Sequence, residues 1–222
     1  RTEAADAKIS VLDRGFLYGD SVYEVVRTYT GKPFALSEHL ERLVRSAQRL
    51  RIPLPEQAEL VDEVAATIAA ADNPESYCRI MVTRGSGPIT LDPTAAVDPM
   101  TVILAKPYEP FPEAMYREGI RVAIPAIRRN PSEALDPAIK SGNYLNSVLA
   151  LGEARQGDYF DALMLDHAGR ITEATSSNVF FRHGEVLSTP PLEVGILSGV
   201  TRGFVLRLAA ENQIPVQEHH LP

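Results

Sequence analysis

Apolar and polar positions recur along this chain with two different periods, and each period marks an element. Residues 22–29 (Val-Tyr-Glu-Val-Val-Arg-Thr-Tyr) are rich in β-branched and aromatic side chains and read as a strand. Gly31 and Lys32 turn the chain, and 33–36 continues as a second strand. Ser37 stands as the N-cap of a helix, with Glu38 in the first turn, where the helix dipole favours an acid. Leu40, Leu43, Val44, Ala47 and Leu50 then recur at helical spacing. A second helix is predicted over 56–71. Strands are predicted over 77–84 and 101–105, joined by the Gly/Pro-rich loop 85–93. Beyond them, 119–127 reads as a strand, and 144–156 as a helix with Leu145, Val148, Leu149 and Leu151 apolar. Residues 162–165 form a strand, 166–169 a turn and 171–173 a further extended piece. Residues 178–181 and 185–187 pair as a hairpin around His183-Gly184, and 200–212 is the last helix. Strands and helices mixed in this way give an α/β or α+β fold. Three prolines within 107–112 favour extended backbone and mark a linker over 108–118, between a first domain, 1–107, and a second, 119–222.

Composition narrows the classes of partner. The 222 residues carry 22 Lys+Arg against 29 Asp+Glu, a formal charge of −7, so a phosphate footprint for nucleic acid is not expected. The one dense basic pair, Arg128-Arg129, is too short to supply it. No apolar run reaches the roughly 20 residues of a membrane helix. A single cysteine, Cys78, excludes an internal disulfide framework and suits a reducing compartment, so a cytoplasmic location is expected. The histidines (His39, His167, His183, His219, His220) lack ligand spacing with Cys or acids, so no metal centre is expected. The chain opens with Arg1 rather than Met and stops at Pro222, and residues are expected beyond both ends.

Three features of the second part carry candidate chemistry. Lys140, in Ala138-Ile139-Lys140-Ser141-Gly142-Asn143, sits between an apolar-flanked segment and a helix start. Held in a pocket, such an amine can attack an aldehyde; alone, it also reads as a surface lysine. The loop Gly195-Ile196-Leu197-Ser198-Gly199 runs straight into a helix at Val200-Thr201. Its backbone N–H groups and the positive dipole end can hold a phosphate, with the Thr201 hydroxyl as an added donor; the other reading makes Ser198 an ordinary N-cap. Glu173 is followed by a run of small polar residues to Asn178, either a site wall or a polar connection. Together, a nucleophilic lysine, a phosphate cradle and one isolated acid are what pyridoxal phosphate requires.

The chain resembles the class IV, fold-type IV pyridoxal-phosphate aminotransferases along essentially its whole length. That family includes branched-chain aminotransferases, D-amino-acid transaminases and aminodeoxychorismate lyases. The matching stretches are Val11-Leu12-Asp13-Arg14-Gly15-Phe16-Leu17-Tyr18-Gly19-Asp20, Glu38-His39-Leu40-Glu41-Arg42-Leu43, Lys140-Ser141-Gly142-Asn143-Tyr144-Leu145-Asn146, residues 172–180 and residues 195–202. The resemblance implies a two-domain enzyme: a small N-terminal α/β domain, and a larger C-terminal domain with a mixed sheet or barrel-like core. It implies pyridoxal 5'-phosphate bound covalently at Lys140 and paired through its ring nitrogen with Glu173. It also implies Tyr144 near the ring hydroxyl, Leu197 on the ring face, and Val200 and Thr201 at the phosphate. Arg42, in the family's His-x-x-Arg pattern, is implied at the same phosphate. By spacing alone Arg42 lies off the Leu40/Leu43/Val44/Ala47 stripe and reads as solvated. A C-terminal Thr or Ser contact of the family lies past Pro222.

Period 2 puts Tyr23, Val25, Arg27 and Tyr29 on one strand face, and Tyr77 and Arg79 on one side of another strand. With Tyr18, these make a candidate substrate wall of two arginines for a carboxylate and several tyrosines; a face of salt-bridged arginines is the alternative. Tyr77-x-Arg79 and Tyr23-Glu24-x-x-Arg27-x-Tyr29 look like the branched-chain type, with Val25 where that group usually has Gly. Val22-Tyr23-Glu24-Val25-Val26 looks like the D-amino-acid type, but the loop 84–93 lacks that type's Arg-x-His pair. The resemblance thus implies an aminotransferase for branched-chain or related L-amino acids, with 2-oxoglutarate as acceptor and a ping-pong mechanism. D-amino-acid transamination and aminodeoxychorismate lysis are the rivals, and a non-catalytic binding protein the remote one. A homodimer is implied, with loop 85–93 completing the neighbouring site. The alternative is that Ile89 and Leu91 fold back on their own core.

Overall fold

Alternation along the first long strand decides the architecture of the N-terminal unit. In a computed structural model describing residues 1–222, this unit comprises Arg1–Pro110 and Ile139–Asn143. Its elements are α1 (Arg14–Tyr18), β1 (Ser21–Tyr29), β2 (Lys32–Pro33), α2 (Leu36–Leu50), α3 (Gln57–Ala71), β3 (Ser76–Thr83) and β4 (Thr101–Pro107). The strands form one antiparallel sheet in the order β2-β1-β3-β4. Val22 and Val26 of β1, with Cys78, Ile80 and Val82 of β3, turn to a core closed by Leu40, Leu43 and Ala47 of α2 and Leu60, Val64 and Ile68 of α3. Burying these side chains is the main favourable term holding the unit together. Burial pushes the Cys78 thiol up to about 11. The native protein should therefore resist alkylation by iodoacetamide near neutral pH, whereas the urea-unfolded chain should react fully.

The start of α2 differs from expectation. β2 is limited to Lys32–Pro33, with Phe34 N still donating to Arg27 O at 2.9 Å, rather than running over 33–36. Ala35, at φ 52°, turns the chain directly into the helix, which begins at Leu36. Ser37 is thus inside the first turn and is not the N-cap; Glu38 keeps its first-turn place. At the other end, Arg84 Nη2 donates to Leu50 O at 2.7 Å and Nη1 to Arg51 O at 3.0 Å, a cationic cap on the carbonyl end.

The short segment 139–143, expected with the second part of the chain, packs within the N-terminal unit. Tyr23 N donates to Lys140 O at 3.0 Å, and Gly142 N to Ser21 O at 2.8 Å. Lys140 N donates to Ser46 Oγ at 3.1 Å. The segment thus lies along the first residues of β1 and is tied to α2. A Cβ on Gly142 would overlap Ser21 Oγ, so a larger residue there would force that buried hydroxyl to move.

The second unit comprises Phe111–Ala138 and Tyr144–Pro222. It contains α4 (Glu113–Glu118), β5 (Val122–Ala123), α5 (Ser132–Leu135), α6 (Leu145–Gln156), β6 (Asp161–Leu165), β7 (Ile171–Ala174), β8 (Phe181–His183), β9 (Val186–Thr189), α7 (Val200–Glu211) and β10 (Val216–Glu218). Two three-stranded sheets result, β5-β6-β7 and β10-β9-β8, each with one parallel and one antiparallel pairing. The sheets are mixed as expected, and neither closes into a barrel. The strand expected over 119–127 shrinks to β5, because Pro125 removes a ladder donor. The chain then returns to β6 through Arg129 N donating to Leu165 O at 2.8 Å. The stretch 108–118 is not plain linker, since α4 occupies its second half.

Helix α6 also departs from expectation. Its buried face is Ser147, Ala150 and Ala154, and the two alanines join Ala162 and Met164 of β6 in the core. Leu145, Val148 and Leu149 are exposed. Small side chains let the helix approach the sheet closely, and the larger apolar stripe faces outward. No helix is long and apolar enough to cross a membrane.

Candidate active site

In the N-terminal unit, candidate residues divide between the two faces of the sheet. Tyr23, Val25 and Arg27 share the face opposite the core, with Met81, Arg79 and Tyr77 as their partners across β3. Tyr23 is buried, and two cations lie against its ring: Arg79 Cζ at 3.8 Å from the centroid and Lys140 Nζ at 4.5 Å. The ring quadrupole attracts both charges, so this aromatic side chain gathers Arg79 and Lys140 into one cluster. Arg27 Cζ lies 4.0 Å from the Tyr29 ring centroid and 3.9 Å from that of Tyr108. Lys106 Nζ is 5.2 Å from the Tyr77 ring, and Arg14 Cζ 5.1 Å from the Tyr18 ring. Arg27 and Arg79 form no ion pair on this face; each stacks on a tyrosine.

Arg42 is buried rather than solvated. Its Nε and Nη2 each donate to Glu24 at 2.7 Å, a bidentate pair inside the unit, and His39 Nδ1 lies 2.7 Å from Glu24 Oε2. Burial by itself would raise the Glu24 carboxyl. The hydrogen bonds from Arg42 and His39, with their charges, outweigh it and hold Glu24 below the usual carboxylate range. The signal for this pair was present in the strand pattern: Glu24 shares the Val22/Val26/Thr28 face, and a carboxylate at a core position requires a cationic partner.

The loop 85–93 does not fold back on its own core, because Ile89 and Leu91 are 75% and 80% exposed. Its backbone is instead held from behind. Arg14, buried at the start of α1, donates from Nη1 to Thr90 O at 2.8 Å and from Nη2 to Leu91 O at 3.4 Å. Asp20 accepts from Arg14 Nε at 3.3 Å and from Arg84 Nε at 2.6 Å.

In the second unit the chain gathers an acid, a turn and a helix end. Glu173 is buried at the end of β7. Its Oε1 accepts from Arg129 Nη2 at 2.6 Å; its Oε2 accepts from Asn178 Nδ2 at 3.0 Å and Leu197 N at 3.1 Å. Arg129 Nε is buried without a hydrogen-bond partner, while Nη2 sets the guanidinium charge directly beside the carboxylate. Pairing with Arg129 was not legible, since the Arg128-Arg129 pair reads only as a short basic cluster. Leu197 ends a turn whose Gly195 has φ 80°. The N-cap of α7 is Gly199, with no side-chain cap, so Ser198 does not fill that role. The first-turn amides of Val200 and Thr201 have no acceptor within their helix, and Thr201 is exposed. Arg202, buried one residue on, donates to Pro190 O at 3.1 Å and pairs with Glu218, fixing this helix end. Tyr144 is half-buried at the N-cap position of α6.

These groups fit the cofactor implied by the resemblance. An uncapped end of a 12-residue helix with an adjacent hydroxyl suits a phosphate dianion. A buried carboxylate kept beside a guanidinium suits a protonated ring nitrogen, and a primary amine anchored by its backbone suits an aldehyde.

Comparison with known proteins agrees. The profile of the family described as amino-transferase class IV matches residues 21–222. A Methanocaldococcus jannaschii protein, provisionally named a branched-chain-amino-acid aminotransferase, is 42% identical over 217 residues, covering 97% of this chain and 74% of that protein. The D-alanine aminotransferase of Bacillus licheniformis is 33% identical over 217 residues, covering 97% and 75%. The crystal structure of Escherichia coli branched-chain amino acid aminotransferase superposes with a TM-score of 0.93 at 31% identity, over 99% of this chain and 75% of that one.

Proposed function

This chain belongs to the class IV aminotransferases, pyridoxal-phosphate-dependent transaminases, and from that premise we propose that it moves the amino group of branched-chain and related L-amino acids to a 2-oxo acid such as 2-oxoglutarate. The observation that carries this reading is the sheet face of the N-terminal unit, where Arg27 and Arg79 stand beside Tyr23, Tyr29 and Tyr77. Guanidinium groups stacked on aromatic rings keep their outer donors available for a carboxylate, and the rings supply apolar wall. Tyr18 is assigned to the same substrate side.

When bound, the cofactor supplies an aldehyde carbon that condenses with amines and a ring that accepts the electron pair left at Cα. Lys140 Nζ is assigned to that aldehyde. Its amine, once free, would take up the substrate Cα proton and return it, first as base and then as acid. Glu173, with Arg129 as its counter-charge at 2.6 Å, would pair with the ring nitrogen. Leu197 would pack on the ring face and Tyr144 would donate toward the ring hydroxyl. Val200 N and Thr201 would hold the phosphate, and Arg42, oriented by Glu24, is assigned to the same group. We assign the outward loop 85–93, with Ile89 and Leu91, to the neighbouring site of a homodimer, Arg14 holding its backbone in place.

A coupled assay with a panel of amino donors tests the substrate reading. L-leucine should exceed D-alanine in kcat/KM by roughly 10²-fold or more, as expected when a site selects by pocket contacts. The D-alanine aminotransferase relative and the Val22-Tyr23-Glu24-Val25-Val26 stretch favour the second reading, D-amino-acid transamination. A D-alanine preference would establish it, and release of 4-aminobenzoate from aminodeoxychorismate would establish the lyase. Sedimentation at micromolar concentration should give twice the chain mass, and a monomer would remove the shared-site assignment.

A further inference from the structure

We infer that Asn178 is a positioning residue that locks the ring-nitrogen acid, the ring-face turn and the phosphate helix into one rigid cradle; this rests on the cofactor assignment above. The local geometry begins at the end of β7. Ala174 N donates to Ser177 O at 2.8 Å, and this tight turn brings Asn178 back beside Glu173. The Asn178 amide then does three things. Its Nδ2 donates to Glu173 Oε2 at 3.0 Å. The same Nδ2 donates to Leu197 O at 2.9 Å. Its Oδ1 lies against Gly199, the N-cap of α7, so closely that a Cβ on Gly199 would overlap it. Leu197 N also donates to Glu173 Oε2 at 3.1 Å, so acid and turn are joined both directly and through Asn178.

The chemistry of the side chain suits this role. A primary amide has two N–H donors on one nitrogen and an acceptor oxygen opposite, in one rigid plane. It can therefore bridge a carboxylate and a carbonyl while turning its oxygen toward the start of a helix. An aspartate of the same shape would set a second carboxylate against Glu173. Alanine would leave the Leu197 carbonyl and one Glu173 lone pair without their donor. Gly199 itself is at φ −66° and ψ 135°, where alanine is unstrained. Its lack of a side chain is explained by the approach of Asn178, not by backbone conformation.

The test measures the affinity of the apoprotein for pyridoxal phosphate and for pyridoxal, which lacks the phosphate. Thr201→Ala should weaken the phosphorylated form alone, because only that form reaches the helix end. Asn178→Ala should weaken both, by about ten- to hundredfold, since hydrogen bonds to charged groups are of that size. Gly199→Ala should do the same from the opposite side of the contact, and it replaces Asn178→Ala if that variant does not fold. Asn178→Asp should raise the pH midpoint of the bound cofactor's visible band, because an added negative charge favours the protonated form; a purely structural role would leave that midpoint in place. Unchanged affinity for both ligands in Asn178→Ala and Gly199→Ala, alongside a loss in Thr201→Ala and Glu173→Gln, overturns the clasp and leaves the cofactor assignment standing. Failure of the unaltered protein to bind either ligand overturns both.

Discussion

Lys140→Ala should lower turnover by roughly 10³-fold or more and remove the visible band formed with pyridoxal phosphate, because one nitrogen is assigned both to hold the cofactor and to move the proton. The loss should not come from unfolding. Lys140 contributes its backbone to the fold, through Tyr23 N and Ser46 Oγ, and alanine keeps both bonds. The side chain adds a contact with the Tyr23 ring at 4.5 Å, worth on the order of 1 kcal/mol at most sites of this kind. Circular dichroism and urea unfolding of the variant should therefore resemble those of the unaltered protein. Added primary amines should restore part of the proton transfer, which a variant inactive through misfolding would not show.

Glu24→Gln should be the most destabilising single change at the site, costing about 3–5 kcal/mol, the usual loss when one member of a buried ion pair is removed. The amide cannot accept both Arg42 donors, and the guanidinium stays buried without its counter-charge. The effect has a pH signature. Glu24 sits below its ordinary value near 4.5 in the folded protein. Its contribution is therefore fully present above that value and is lost as pH falls through the lower, folded-state value. Denaturant unfolding followed from pH 7 down into this acid range should show a steep loss of stability in the unaltered protein. The loss should be shallower in Glu24→Gln. Because Arg42 is assigned to the phosphate, the variant should also bind pyridoxal phosphate more weakly than pyridoxal loss alone explains. Equal acid limbs in the two proteins would remove the pair from the account.

Much of the fold was legible because the elements obey simple periods. The alternation over 22–29 places Tyr23, Val25 and Arg27 on one face and Val22 and Val26 on the other, as found. The turn at 166–169 follows from Asp166, whose side chain accepts from Ala168 N and Arg170 N. The misses have physical causes. A single proline ends the strand expected over 119–127, and left-handed Ala35 moves the start of α2 away from Ser37. Helix α6 buries its alanines because close packing, not side-chain hydrophobicity, selects the contact face.

The candidate lysine, acid and helix end were picked out from the sequence because each role needs a particular residue type at a particular place. The groups that orient them were not. Arg129, Asn178 and His39 act through contacts made by residues distant in sequence or on different elements, which no period reports, whereas Glu24 was marked by its place on the core face of β1. Arg42 was misread by spacing for the same reason, since its burial depends on a carboxylate in a strand 18 residues earlier.

The central claim is that the Lys140 amine is the one that takes the cofactor. The chain has four lysines, Lys8, Lys32, Lys106 and Lys140, which makes the decisive measurement simple. The protein is saturated with pyridoxal phosphate, reduced with borohydride, digested and mapped by mass spectrometry. The account predicts the reduced cofactor on the peptide containing Lys140 and on no other. Label on Lys8, Lys32 or Lys106 with Lys140 unmodified, or no label at all, would contradict it.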